Sequence, residues 1–78
     1  MYRLNVAKLR EAAARLGDTT VPEIYRRAGI AESSAYRWFK DEGQPDLNSA
    51  LRLGAAYGVP VESFMELVEE TDAESVAA

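Results

Sequence analysis

Three residues, Gly29, Ile30 and Ala31, are all that separate two helical patterns in this chain. Upstream of the joint, Thr20 is followed three residues later by Glu23, a capping box. Pro22 sits in the first turn, where its missing N–H costs little. The pattern predicts a helix over 21–28 that stops at Gly29. Downstream, Glu32 to Asp41 resumes helical spacing. So short a joint forces a sharp angle, with Ile30 as the plug between the two helices. The upstream helix is too short to be stable alone and needs a partner.

The flanking segments supply partners. Val6, Leu9, Ala13 and Leu16 recur at helical spacing, with Asn5 as a cap and Gly17-Asp18 as a stop, so a first helix is expected over 5–16. After Gly43-Gln44-Pro45, Asp46 caps a fourth helix. Its Leu47, Ala50, Leu51, Gly54 and Tyr57 form an apolar stripe, widened by Leu53. Gly58 ends it. Val59-Pro60 leads into an expected fifth helix over about 61–70, with Val61, Phe64, Leu67 and Val68 inward and Met65 at the edge of that set. The reading is an all-α, five-helix domain over 1–70 and a disordered acidic tail over 71–78. Helices two and three form a helix-turn-helix arrangement with its glycine in the turn. On helix three, Ala35 and Trp38, with Phe39 beside them, face in. Glu32, Ser33, Tyr36, Arg37 and Lys40 lie on or near the other side.

Composition narrows the chemistry. The 78 residues contain no cysteine and no histidine, which removes the thiolate, the commonest metal ligand and the commonest general base. Glu62, Glu66, Glu69 and Glu70 share a helical side, but without histidine they read as a solvated acidic face. No glycine-rich phosphate loop and no nucleophile–base pair is present. Neither an enzyme, a cofactor nor a metal site is expected. No apolar run approaches a membrane span, so a cytoplasmic protein without a membrane partner is expected. The formal net charge is −4, but it is unevenly spread. Residues 1–40 carry eight basic side chains against four acids, and residues 41–78 carry Arg52 against nine acids. Such a bipolar chain presents its basic half to a polyanion.

The stretches "TVPEIYRRAGIAESSAYRWFK" and "GQPDLNSALRLGAAYGVPVESF" together resemble the repressor-type helix-turn-helix family of phage repressors and Cro proteins. The likeness covers about residues 5–69. It rests on a threonine-capped second helix, a glycine-plus-aliphatic turn, a serine-rich third helix and a proline-led fourth helix ending in Gly-Val. The resemblance implies a sequence-specific, double-stranded DNA-binding transcriptional regulator that inserts its third helix in the major groove. Its base-reading positions fall on Glu32, Ser33 and Arg37. Its backbone contacts fall on Thr20, Ser34, Tyr36, Lys40 and Asn48. A guanidinium at Arg37 matches the O6 and N7 acceptors of guanine. A homodimer on a palindromic site is expected, with helix five and Met65 at the seam.

The chain departs from that family in places. Tyr25 takes a buried position normally filled by alanine, and Gly54 or Ala12 would have to give it room. Phe39 replaces a usual glutamate. Ala31 and Pro60 replace capping serines. Two other readings stay open. One is an antitoxin or anti-repressor that engages a protein partner through the acidic C-terminal half. The other is an excisionase-like or mercury-regulator-like DNA-binding protein, whose opening the first stretch also resembles. In those proteins the motif starts near the N-terminus and a winged hairpin follows.

Overall fold

The computed structural model describes residues 1–68. In chain order they form β1 (Tyr2–Leu4), α1 (Val6–Arg15), α2 (Val21–Ala28), α3 (Glu32–Phe39), α4 (Leu47–Tyr57), a single 3-10 turn (Val61–Ser63) and β2 (Met65–Leu67). The expected acidic tail over 71–78 lies outside the described residues, as do Glu69 and Glu70.

Local chemistry sets the helix ends. The Asn5 side chain accepts from the Lys8 amide at 3.0 Å, and Asp46 accepts from the Ser49 amide at 2.8 Å. At α2 the reciprocal box is complete. Thr20 Oγ1 accepts from the Glu23 amide, and Glu23 accepts from the Thr20 amide. Gly29 closes α2 at φ 71°, a left-handed conformation that costs a glycine little. Ala31 gives α3 no side-chain cap. Ile30 is half-buried against the core, filling the joint as its position predicts.

The five-helix, all-α expectation is wrong. Four helices and a two-stranded antiparallel sheet make a mixed domain. The segment read as helix five is the 3-10 turn followed by β2. Its apolar residues satisfy a helical period, but a run this short fits a strand as well. Backbone pairing decides between them. The Phe64 carbonyl accepts from the Asn5 amide at 2.7 Å, and the Val68 amide donates to the Met1 carbonyl at 2.8 Å. These groups bond to the N-terminal strand instead of to a helical turn. The register pairs Tyr2 with Leu67, Arg3 with Glu66 and Leu4 with Met65.

The strand turns over several side chains that a helix would have placed otherwise. Phe64 is in the core as expected. Met65 is buried, not at an exposed helical seam, and Leu67 points to solvent. The α4 stripe is also rotated. Ala50, Leu53, Gly54 and Tyr57 face the core, while Leu47 and Leu51 are exposed. Tyr25 is only half-buried, so no neighbour has to shrink for it. Gly54 serves a different contact: a Cβ there would stand 2.8 Å from the Val59 carbonyl oxygen and 3.7 Å from a Val61 methyl. The small residue lets the chain after α4 fold back onto the helix.

Leu9, Ala12, Ala13, Ile24, Ala28, Trp38, Leu53, Tyr57 and Phe64 belong to one core cluster. Trp38 is buried in it, as its spacing from Ala35 requires. The close approach at Gly54 yields a test. Gly54→Ala gains helix propensity, yet it should lose about 1–3 kcal/mol of stability, because the clash is with backbone. Urea unfolding checks it; a stabilised variant would mean that the 58–61 turn yields freely.

Candidate nucleic-acid interface

Helix α3 positions most of the residues singled out by sequence. At about 100° per residue, Glu32, Ser33, Tyr36, Arg37 and Lys40 fall within about 140° of arc. Ala35 and Trp38 lie on the opposite side, both buried. The inward pair therefore fixes which face is outward. Glu32, Ser33, Arg37 and Lys40 are exposed, and Ser34 and Tyr36 are half-buried. Thr20 and Asn48 are also exposed, one capping α2 and the other in the first turn of α4. Thr20 Oγ1 accepts one bond within its capping box, which leaves its hydroxyl proton free to donate.

Two aromatic rings brace the joint between α2 and α3. Tyr25 and Tyr36 meet edge to face, with centroids 6.1 Å apart and planes at 64°. The Arg26 guanidinium lies 5.9 Å from the Tyr25 ring centre. Tyr36 thus has a packing role that accounts for its half-burial. Arg37 folds toward the loop that follows its own helix. Its guanidinium lies 3.0 Å from where a Gly43 Cβ would stand. Gly43 was legible only as a chain breaker, and nothing in the sequence marked it as the floor beneath Arg37.

Ion pairing removes part of the basic charge. Arg3 pairs with Asp41, Lys8 with Glu66 and Arg27 with Asp18. Arg10, Arg15, Arg26, Arg37, Lys40 and Arg52 make no ion pair among the described residues. Arg10 sits 4.9 Å from the Phe39 ring centre, which explains the aromatic at that place on α3. Arg52 donates to the Gly29 carbonyl at 3.0 Å and so ties α4 to the joint. Arg27 has a structural role, held by Asp18.

The partner of Arg27 was missed. Asp18 is buried, accepts two bonds from the Arg27 guanidinium, and accepts the Tyr57 hydroxyl at 2.8 Å. The Arg27 bonds, and then the Tyr57 bond, hold the Asp18 carboxyl below its ordinary range. Burial, and then the bond to Asp18, push the Tyr57 phenol up. The Glu23 carboxylate is held down by the Thr19 amide and then the Thr20 amide. The signal available in sequence was the aspartate after Gly17, which reads as a helix stop and nothing more.

The face offers hydroxyls, a phenol, a guanidinium and an ammonium, which suit hydrogen bonding to a polyanion. Among the described residues no group of acidic side chains is placed to hold a metal ion. No helix among them is long and apolar enough to cross a membrane. Comparison with protein-family models, with curated proteins and with solved structures gives no match.

The carboxylates set a pH dependence. Asp18, Glu23, Asp46 and Glu66 all have lowered folded values. Their contribution is fully present above the unfolded carboxylate range of about 4 and is lost as pH falls through the lower folded values. Urea unfolding from pH 7 to pH 2 should show stability falling below about pH 4. Asp18→Asn should be less stable at pH 7 and show a shallower acid decline. Parallel declines would mean that Asp18 is not a main source of the dependence.

Proposed function

We propose that this protein is a sequence-specific, double-stranded DNA-binding regulator of the phage-repressor and Cro type, acting in the cytoplasm without covalent chemistry or a cofactor. The observation that carries the reading is the outward face of α3. It presents Ser33, Arg37 and Lys40 opposite the buried Ala35 and Trp38, at a joint held by Gly29, Ile30 and Arg52. A helix so displayed fits the major groove of B-DNA. The unpaired basic side chains attract the duplex, Thr20, Ser34, Tyr36, Lys40 and Asn48 hold its backbone, and Glu32, Ser33 and Arg37 meet base edges.

Glu32 has two roles that agree. As a first-turn acid it is favoured by the helix dipole, and as an acceptor it suits cytosine N4. A single module of this kind buries roughly 600–1,000 Å², so a symmetric pair on a palindromic site is part of the reading. An antitoxin or anti-repressor role remains the second reading. It is favoured by an exposed apolar groove along α4 and by the acidic C-terminal half. The excisionase-like reading is weaker, since α1 precedes the helix pair and α4 follows it where a winged hairpin would stand.

Arg37 and Lys40 are three residues apart and have different work. Arg37→Ala should weaken the cognate site by about 1–3 kcal/mol and a scrambled duplex only slightly. Lys40→Ala should weaken both duplexes alike and lower the salt slope by about one phosphate contact. A randomised-oligonucleotide selection at fixed salt provides the cognate site. Titrations of parent and variants at several salt concentrations then decide the roles. Equal losses for Arg37→Ala on both duplexes would demote it to a backbone contact. Failure of the parent to bind any duplex at low salt would overturn the DNA reading.

A further inference from the structure

The loop after α3 folds back beside the side chain of Arg37. The chain leaves the helix through Asp41, whose left-handed backbone turns it sharply. The Glu42 amide then donates to the Arg37 carbonyl at 2.8 Å, and the Asp41 amide to the Trp38 carbonyl at 3.1 Å. Gly43 is thereby laid against the Arg37 side chain. A Cβ on Gly43 would stand 3.0 Å from Arg37 Nη2, 3.4 Å from Cζ and 3.7 Å from Nε, and no other atom comes as near. The backbone does not ask for a glycine here. Gly17, Gly29 and Gly58 have positive φ, and Gly43 does not. What the position demands is space for a guanidinium.

The loop that provides this space is held from outside. Arg3 pairs with the Asp41 carboxylate, and Gln44 Oε1 accepts from the Leu4 amide at 2.7 Å. Residues on both sides of Gly43 are thus tied to β1. The Arg3 pair has a second effect. Asp41 is the carboxylate nearest to Arg37 in sequence, and at four residues' distance it is the natural ion partner of that guanidinium. Arg3 takes it instead. Among the described residues the Arg37 side chain makes no ion pair and no hydrogen bond. Its donors stay open while its guanidinium rests on a tethered backbone.

We propose that Gly43 is a positioning residue for base reading: its missing side chain lets the Arg37 guanidinium settle against the 41–44 loop before a duplex arrives, with its donors open. The inference rests on the DNA-binding reading above. Immobilising a long side chain at an interface costs affinity. An Arg37 that is already settled has less freedom to lose. It remains exposed while it rests there, so no bond has to break before it meets a base edge. Only a site that offers guanine O6 and N7 to the fork gains from this. Contacts to the phosphates gain nothing. Gly43 therefore raises discrimination between sequences and leaves non-specific binding as it is.

Gly43→Ala adds the one methyl in question at a backbone conformation that alanine accepts, so its urea midpoint should match or exceed the parent's. On the duplex selected from random oligonucleotides it should lower the ratio of cognate to scrambled affinity about two- to tenfold, with the scrambled affinity unchanged. In an Arg37→Ala background the same change should do nothing, because the methyl acts only through that guanidinium. Without DNA, the Arg37 Nε–Hε group should show a lower heteronuclear NOE in Gly43→Ala than in the parent, while that of Arg26 stays the same. A parent that discriminates beside a Gly43→Ala variant that discriminates equally well would overturn the inference and leave the DNA reading intact. So would an unchanged Arg37 NOE. A lowered urea midpoint, equal losses on both duplexes, or a loss that persists beside Arg37→Ala would assign Gly43 to the fold or to the phosphates and overturn it too. A parent that binds no duplex at low salt removes the DNA reading, and the inference with it.

Discussion

A buried carboxylate holds this small domain in register. Asp18 stands just past the end of α1, Arg27 comes from α2, and Tyr57 comes from α4. A lone buried charge would be strongly unfavourable, so Asp18 is stable inside only because Arg27 grips both oxygens and Tyr57 donates to one. The geometry must be met by all three helices at once. Arg27 also lies 5.9 Å from the Tyr57 ring centre, which adds a contact between the same two helices. Arg52 fastens the next link by donating to the Gly29 carbonyl at the α2–α3 joint. The orientation of α3 therefore depends on contacts that α3 itself does not make. Its own share is the burial of Ala35 and Trp38, which sets its rotation and leaves Ser33, Arg37 and Lys40 outward.

Features with local causes were legible in the sequence. Thr20 with Glu23, and Gly29 at the other end, delimit α2 by bonds that span at most one turn. Asp46 delimits α4 in the same way. The outward face of α3 was legible too, because Trp38 admits one reading at that spacing. Tyr25 was placed too deep, since a helical period marks an apolar arc but not how far a neighbour such as Tyr36 covers it. The two leucines on α4 failed for a related reason. Periodicity allowed Leu47 and Leu51 inward, whereas the buried stripe runs through Ala50, Leu53, Gly54 and Tyr57, with Val59 closing over Gly54. The sheet was out of reach. Its strands have three residues each and lie at opposite ends of the described chain, and 61–68 carries a pattern that both periods satisfy.

The sheet changes how α3 is connected to the rest of the molecule. After α3, Asp41 adopts a left-handed conformation at φ 60°, which aspartate tolerates, and its carboxylate receives Arg3 from β1. The next strand residue, Leu4, donates its amide to Gln44 in the same loop. Two successive residues of β1 thus hold the loop that supports Gly43, on which the Arg37 guanidinium rests. A five-helix bundle would have joined its C-terminal element to α3 only through the core. Here the route from β2 to Arg37 is short: one strand pairing, two side-chain contacts and one loop.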